Sequence, residues 1–167
     1  VSGGQAGAVN GALAIMIGGD ANHLAQGTAA IEPYAKTMTH MGEVGTGQLT
    51  KMVNQILIGG VLQGISEGFT LAQKTGLDLP KVINAISGGA AGSWQLSNRG
   101  ENIDKDIFDY GFAVDWMRKD LKIAMDEAKN NGSQLPVTEI VDKYYSEVQE
   151  MGGKRWDTSS LIRRLSK

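Results

Sequence analysis

The sequence predicts a mainly α protein that opens with a short α/β segment. A strand, helix, strand pattern occupies residues 12–41, and after Gly42 every periodic segment has the spacing of a helix rather than the alternation of a strand. Glycines mark where those periods stop: Gly76, Gly88-Gly89, Gly132 and Gly152-Gly153.

Ala12-Leu-Ala-Ile-Met-Ile17 is a short continuous apolar run closed by Gly18-Gly19, as a buried strand requires. Asp20 is placed as an N-cap for a helix over residues 21–34, weakened by Gly27 and Pro33, and residues 37–41 are β-rich enough for a second strand. Ser2-Gly3-Gly4, ahead of them, has the composition of a turn, and its hydroxyl and backbone amides could also hold a carboxylate.

A long helix follows over residues 47–74, with Leu49, Met52, Val53, Ile56, Val61, Ile65, Phe69 and Ala72 as its apolar positions. Asp78 caps a short helix running to about Ser87, and a small helix fits residues 94–98. Residues 104–111 read as an irregular connection. Further helices are expected over residues 115–129, over 136–151 with Pro136 in the first turn, and from Asp157 or Thr158 to Leu165. The last has acid at its start and Arg163 and Arg164 at its end, matching the helix dipole.

Within the long helix, Gly60, Gly64 and Gly68 recur every four residues. Glycine inside a helix costs about 1 kcal/mol relative to alanine, so the stripe favours close approach of another backbone, from this chain or from a second subunit, over local tolerance of glycine in a well-packed helix.

Composition narrows the function. With 16 basic and 18 acidic side chains and a formal net charge of -2, the chain offers no electrostatic footprint for nucleic acid or a membrane surface. It has no cysteine, so disulfides, thiolate metal sites and a cysteine nucleophile are excluded, and His23 and His40 alone do not make a zinc site. The apolar run over residues 56–62 is far shorter than the ~20 residues that span a bilayer. The opening Val1-Ser2-Gly3-Gly4 lacks methionine and any signal segment, so a start inside a larger polypeptide is expected.

Lys51 is the residue with the most chemical promise. On a helix it shares a face with Gly47, Asn54 and Gln55, which sets an ammonium beside carboxamides, a pairing suited to binding a hydroxyl or carbonyl oxygen and moving its proton. The same spacing also fits a solvated lysine on an amphipathic helix. Gly45-Thr46-Gly47 does not make a dinucleotide turn, because Thr50 stands at the third glycine position and no acid follows at the required distance. Lys119-Asp120, within Trp116-Met-Arg-Lys-Asp-Leu121, is a helical charge pair that is equally consistent with a solvated surface.

Taken in order, three segments resemble the β-hydroxyacid dehydrogenase family. Val1-Ser-Gly-Gly-Gln-Ala-Gly-Ala8 is similar to its substrate-binding segment, Gly45-Thr-Gly-Gln-Leu-Thr-Lys-Met-Val-Asn54 to its catalytic segment, and the stretch from Phe112 through Lys119-Asp120-Leu121 to a third segment near cofactor and substrate. The resemblance covers essentially the whole chain. It implies that residues 1–43 are the tail of a Rossmann domain and residues 44–167 an all-α domain like the C-terminal domain of 6-phosphogluconate dehydrogenase.

It further implies NAD or NADP as cofactor, a small 3-hydroxy acid or its semialdehyde as substrate, a homodimer or homotetramer, and a cytoplasmic location. By the same resemblance Lys51 is the general acid/base and Asn54 holds the reacting oxygen, with Gln55 the neighbouring candidate. Ser2, Gly3 and Gly4 hold the substrate carboxylate, Phe112 walls the pocket, Asp120 lies in the pocket near the lysine, and Lys119 contacts the cofactor. No metal is implied. The Gly-x-Gly-x-x-Gly turn of the Rossmann domain is not among these residues, so a split site, inactive in this chain alone, is expected.

Overall fold

Strands β1 (Leu13–Gly18) and β2 (Ala35–Gly42) pair in parallel in a computed structural model that describes residues 1–165. The chain forms two compact units, the first covering Val1–Gln55 and the second beginning at Ile56. In the first, Ile15 lies opposite Met38 and Ile17 opposite His40, with irregular register at both ends of β1. A parallel pair needs a crossover of a dozen or more residues. Helix α2 (Ala21–Ile31) and a 3₁₀ turn over Glu32–Tyr34 supply it. Asp20 caps α2 as expected, accepting from the Asn22 N–H at 2.8 Å. The α-helix stops three residues before the expected end, because Pro33 brings no N–H and fits the tighter turn instead.

Helix α1 (Gly4–Val9) has no counterpart among the expected elements, and it begins at the last residue of the Ser2-Gly3-Gly4 turn. Its composition is glycine-rich and has no apolar period, so contacts make it: Gly3 and Gly7 lie so close to Leu13 that a Cβ on either would sit 3.0 Å from the leucine Cδ2. Ser2 pairs with Ala14 through both backbone groups, at 2.8 and 2.9 Å, so its N–H is already engaged.

Helix α3 (Thr46–Lys74) carries 29 residues. Its first turn rests on the end of β1 through two glycines. A Cβ at Gly47 would lie 2.5 Å from the Met16 carbonyl oxygen, and one at Gly18 would lie 2.6 Å from that of Glu43. Of the two glycines in Gly45-Thr46-Gly47, Gly47 is therefore a packing requirement, while Gly45 has open space around it and a positive φ of 96°.

The second unit holds two adjoining cores. One gathers Leu62 of α3, Val114, Met117 and Leu121 of α6 (Val114–Asn131), and Val141, Tyr145 and Val148 of α7 (Pro136–Glu150). The other gathers Phe69, Leu79 of α4 (Leu79–Ile86), Leu96 and Ile103 of α5 (Trp94–Asp104), Phe108 and Ile162. Trp156 touches both. Each fully buried aliphatic side chain contributes about 1.5–3 kcal/mol.

Helix α5 continues six residues beyond the expected Asn98. Gly100 argues against this from sequence, yet a Cβ there would meet Ile83 Cδ1 at 2.9 Å, so the glycine is what lets α5 lie against α4. The final segment, Thr158–Arg164, is a 3₁₀ helix whose start is capped by Asp157. A stretch of 3₁₀ over Gly153–Arg155 precedes it.

The glycine stripe on α3 is open among the described residues. A Cβ at Gly60, Gly64 or Gly68 would meet no described atom within 4 Å, whereas Gly59 faces Val141 and Leu121. Val53, Leu57 and Leu71, on the same side as the stripe, are exposed. Among the described residues, no neighbouring backbone packs against the stripe.

Tyr145 is wholly buried and donates its hydroxyl to the Thr158 carbonyl at 3.0 Å. Burial, and then the nearby negative Asp157, push its pKa well above the ordinary tyrosine value. The folded state therefore keeps a proton that the unfolded chain releases near pH 10, so this contribution to stability is present below about pH 10 and is lost as pH rises above it. Tyr145→Phe should lower stability by about 1–2 kcal/mol at neutral pH, through loss of the buried hydrogen bond to Thr158. It should also flatten the fall of Tm with pH in the alkaline range, and a fall as steep as in the parent would contradict this origin.

Candidate active site

The residues singled out from sequence divide between the two units, and each group has its own local order. In the first unit, Lys51 and Asn54 are half-buried in the opening turns of α3 and Gln55 is buried. Asn54 donates Nδ2–H to Gln55 Oε1 at 2.7 Å. That bond fixes the Asn54 carboxamide and turns its carbonyl oxygen the other way, as an acceptor for an ammonium or a hydroxyl. Along α3, Gln55, Leu62, Ser66 and Phe69 are buried and lie on the helical stripe that starts with Lys51.

Ser2, Gly3 and Gly4 form the approach to α1, with Gly3 at φ 132° and Gly4 at φ 61°, conformations that favour glycine. With the Ser2 N–H bound to Ala14, a carboxylate here would have to use the serine hydroxyl and the amides that follow. At the carboxyl ends of the two strands, a cavity of 440 Å³ is lined by Gly19, Asp20, Glu43 and Val44. Open α/β sheets bind ligands at that end of their strands.

In the second unit, Phe112 lies just before α6, with its ring partly buried against the first core. Lys119 and Asp120 form an ion pair at 2.7 Å, the lysine side chain 56% exposed and the aspartate 13%. Asp120 therefore steers a reachable ammonium. Met117, Leu121 and Ala124 bury the opposite side of α6.

Two residues near Phe112 escaped the sequence reading. Asp157, read there only as a helix start, is completely buried and accepts the Phe112 N–H on Oδ2 at 2.8 Å. Arg99 lies against it, Nε to Oδ1 at 3.2 Å, stacked over the rings of Trp94 and Tyr110. The Nε–H does not point along that line, so the contact is Coulombic rather than a hydrogen bond. An aspartate before Thr-Ser-Ser signals a cap, and nothing local to Arg99 signals its partner 58 positions away.

Taken each by itself, the first unit presents a parallel strand pair open at its carboxyl ends, and the second a steered, partly exposed lysine. Among the described residues, no helix is long and apolar enough to cross a membrane.

Comparison with known proteins identifies the family. Residues 45–165 match the family model described as NAD-binding of NADP-dependent 3-hydroxyisobutyrate dehydrogenase, and residues 1–42 match the NAD binding domain of 6-phosphogluconate dehydrogenase. An uncharacterized oxidoreductase of Shewanella frigidimarina is 58% identical over 100% of this chain and 57% of its own length. The 2-hydroxy-3-oxopropionate reductase of Escherichia coli is 35% identical over 99% of this chain and 56% of its own. The structure of Mycobacterium tuberculosis 3-hydroxyisobutyrate dehydrogenase with L-serine superposes with a TM-score of 0.90 at 29% identity, covering 99% of this chain and 59% of that one.

The chain thus spans somewhat over half the length of the relatives it matches. The mainly α fold agrees with the one expected from sequence, and NAD or NADP is the cofactor. An order of segments that resembles one family, a fold shared with its solved member and a model match over most of the chain lead to one assignment: the chain belongs to the β-hydroxyacid dehydrogenase family, with 3-hydroxyisobutyrate dehydrogenase among its close structural relatives.

Proposed function

We propose that this chain is the C-terminal portion of an NAD(P)-dependent 3-hydroxyacid dehydrogenase, in which Lys51 moves the hydroxyl proton. Residues 1–43 are the tail of the nucleotide-binding domain and residues 44–167 the helical substrate and dimerisation domain. When bound, the nicotinamide accepts hydride from the alcohol carbon or returns it to the carbonyl carbon. The chain's own residues handle everything else about the oxygen.

In alcohol oxidation Lys51 Nζ takes the hydroxyl proton, and in carbonyl reduction it supplies one. Asn54, ordered by Gln55, holds the reacting oxygen and the lysine. The observation that carries this reading is that amide pair, joined at 2.7 Å one turn beyond Lys51. A lysine with an ordinary pKa of about 10.4 is poorly matched to this task at neutral pH, so the reading requires an environment that disfavours the ammonium. Ser2, Gly3 and Gly4 hold the substrate carboxylate, Phe112 walls the pocket, Asp120 lines it, and Lys119 contacts the cofactor.

The substrate is a small 3-hydroxy acid or its semialdehyde. Cofactor reduction by the full-length protein carrying this chain, measured with NAD and with NADP across a panel of such acids, tests the reading. The expected result is turnover for at least one acid with one cofactor, and none by the 167-residue chain alone. Appreciable turnover by the chain alone would overturn the split of the site between this chain and the remainder of the protein.

A second reading is a helical assembly module, and the open Gly60, Gly64 and Gly68 face with its exposed Leu57 and Leu71 favours it. Pairing into a homodimer or homotetramer through that face is compatible with catalysis. Only a module without catalysis competes with the first reading.

A further inference from the structure

The segment that presents Phe112 is built around one buried charge. Asp157 accepts from the Phe112 N–H on Oδ2, and on Oδ1 from the Ser159 N–H at 3.0 Å and the Ser159 hydroxyl at 2.7 Å. Its own N–H goes to the Phe108 carbonyl at 2.8 Å, and the Thr158 N–H goes to the Phe112 carbonyl at 2.9 Å. Phe112 is thus held by both backbone groups to residues 157–158.

Capping the last 3₁₀ helix needs only one acceptor, which a neutral serine or asparagine provides. A fully buried carboxylate is expensive unless its charge is met and both oxygens are used. Here Arg99 meets the charge, and the second oxygen is used by Phe112. Arg99 also stacks 5.0 Å from the Tyr110 ring, two residues before Phe112. Between them Gly111, at φ +72°, has no room for a side chain, since a Cβ would fall 2.0 Å from Asp157 Oδ2. Residues 110–112 are therefore moulded on the carboxylate from both sides.

We propose that Asp157, neutralised by Arg99, is a positioning residue that fixes Phe112 and through it sets which substrate side group the pocket accepts. This rests on the reading of Phe112 as the pocket wall. Asp157 touches neither substrate nor cofactor in this scheme. It acts only through the placement of the aromatic ring, so its loss should alter selectivity and KM more than kcat.

The test uses the full-length protein and two 3-hydroxy acids that differ by one methyl group at C2. kcat and KM are measured for Asp157→Asn, Phe112→Ala and the double variant, with folding followed by thermal melting. Asp157→Asn should shift the ratio of kcat/KM between the two acids by about 5-fold or more, a fraction of what a methyl contact can discriminate. In the Phe112→Ala background it should shift the ratio no further, since the group it acts through is gone.

A folded Asp157→Asn enzyme with the parent's ratio and KM would overturn the proposal, as would effects that multiply in the double variant. A merely structural role would lower the folded fraction without moving the ratio. If Phe112→Ala itself leaves both acids unaffected, the reading of the pocket wall fails first and takes this proposal with it. Should Asp157→Asn not fold, Arg99→Met, altering a partly exposed residue, carries the same comparison, and an unchanged ratio there counts against the proposal.

Discussion

Lys51→Ala in the full-length protein should lower kcat/KM by about 10³-fold, some 4 kcal/mol, while leaving the protein folded. Removing a positioned acid/base group typically costs 10²–10⁴-fold, and no other lysine lies within three residues in the sequence to substitute. Folding should survive because Lys51 is only half-buried and alanine is the better helix former. The loss should fall mainly on kcat, since the proton moves in the transition state, and added primary amines should restore part of it. A folded variant with undiminished turnover would remove Lys51 from the mechanism. Absence of turnover in the parent itself, with the helical assembly intact, would favour the non-catalytic module.

The largest effect on stability should come from Gly111→Ala. The left-handed backbone alone costs a residue with a Cβ about 1–2 kcal/mol. The added methyl would also lie 2.0 Å from Asp157 Oδ2, a distance no rotation of a side chain relieves, because that carboxylate is held by Phe112 and Ser159. Displacing it adds a further 1–3 kcal/mol of overpacking, for a total of about 2–5 kcal/mol. Urea denaturation should show this as a lower midpoint with an unchanged slope. By contrast, Gly64→Ala on the open stripe should be neutral or stabilising in the monomer, and equal losses at the two sites would mean the local crowding at Gly111 is not what matters.

Much of the architecture was legible because it depends on local pattern. The strand at Leu13–Gly18 is a continuous apolar run, α3 has a long helical period ended at Gly76, and Asp20, Asp78 and Asp157 accept from backbone N–H groups just as cap residues should. Two of the differences between sequence and fold involve glycine-containing segments. Helix α5 runs on through Gly100, against a helix propensity that counts that residue's entropy and not the Ile83 side chain that needs its missing Cβ. Helix α1 was invisible because contact with Leu13, rather than any apolar period, makes it.

The candidate site was legible only in part. Lys51 with Asn54 and Gln55, and Lys119 with Asp120, are neighbours on one helix face or in sequence, so spacing alone pairs them. Whether such a lysine is solvated or partly buried is not a local property, and neither is the direction of a glycine stripe. The sequence supported two packing partners for Gly60, Gly64 and Gly68, and among the described residues the stripe stays open.

By itself, then, the sequence determined the type and order of the elements, the absence of cysteine chemistry, and the segments that resemble a dehydrogenase, all of which reside in residue identity and short-range period. Only the tertiary structure decided that Asp157 is a buried carboxylate shared between a helix start and Phe112, that Arg99 neutralises it across 58 positions, and that Gly111 makes room for both. The physical reason is that a carboxylate's worth depends on which donors and charges surround it once water is excluded, and folding alone brings those groups together.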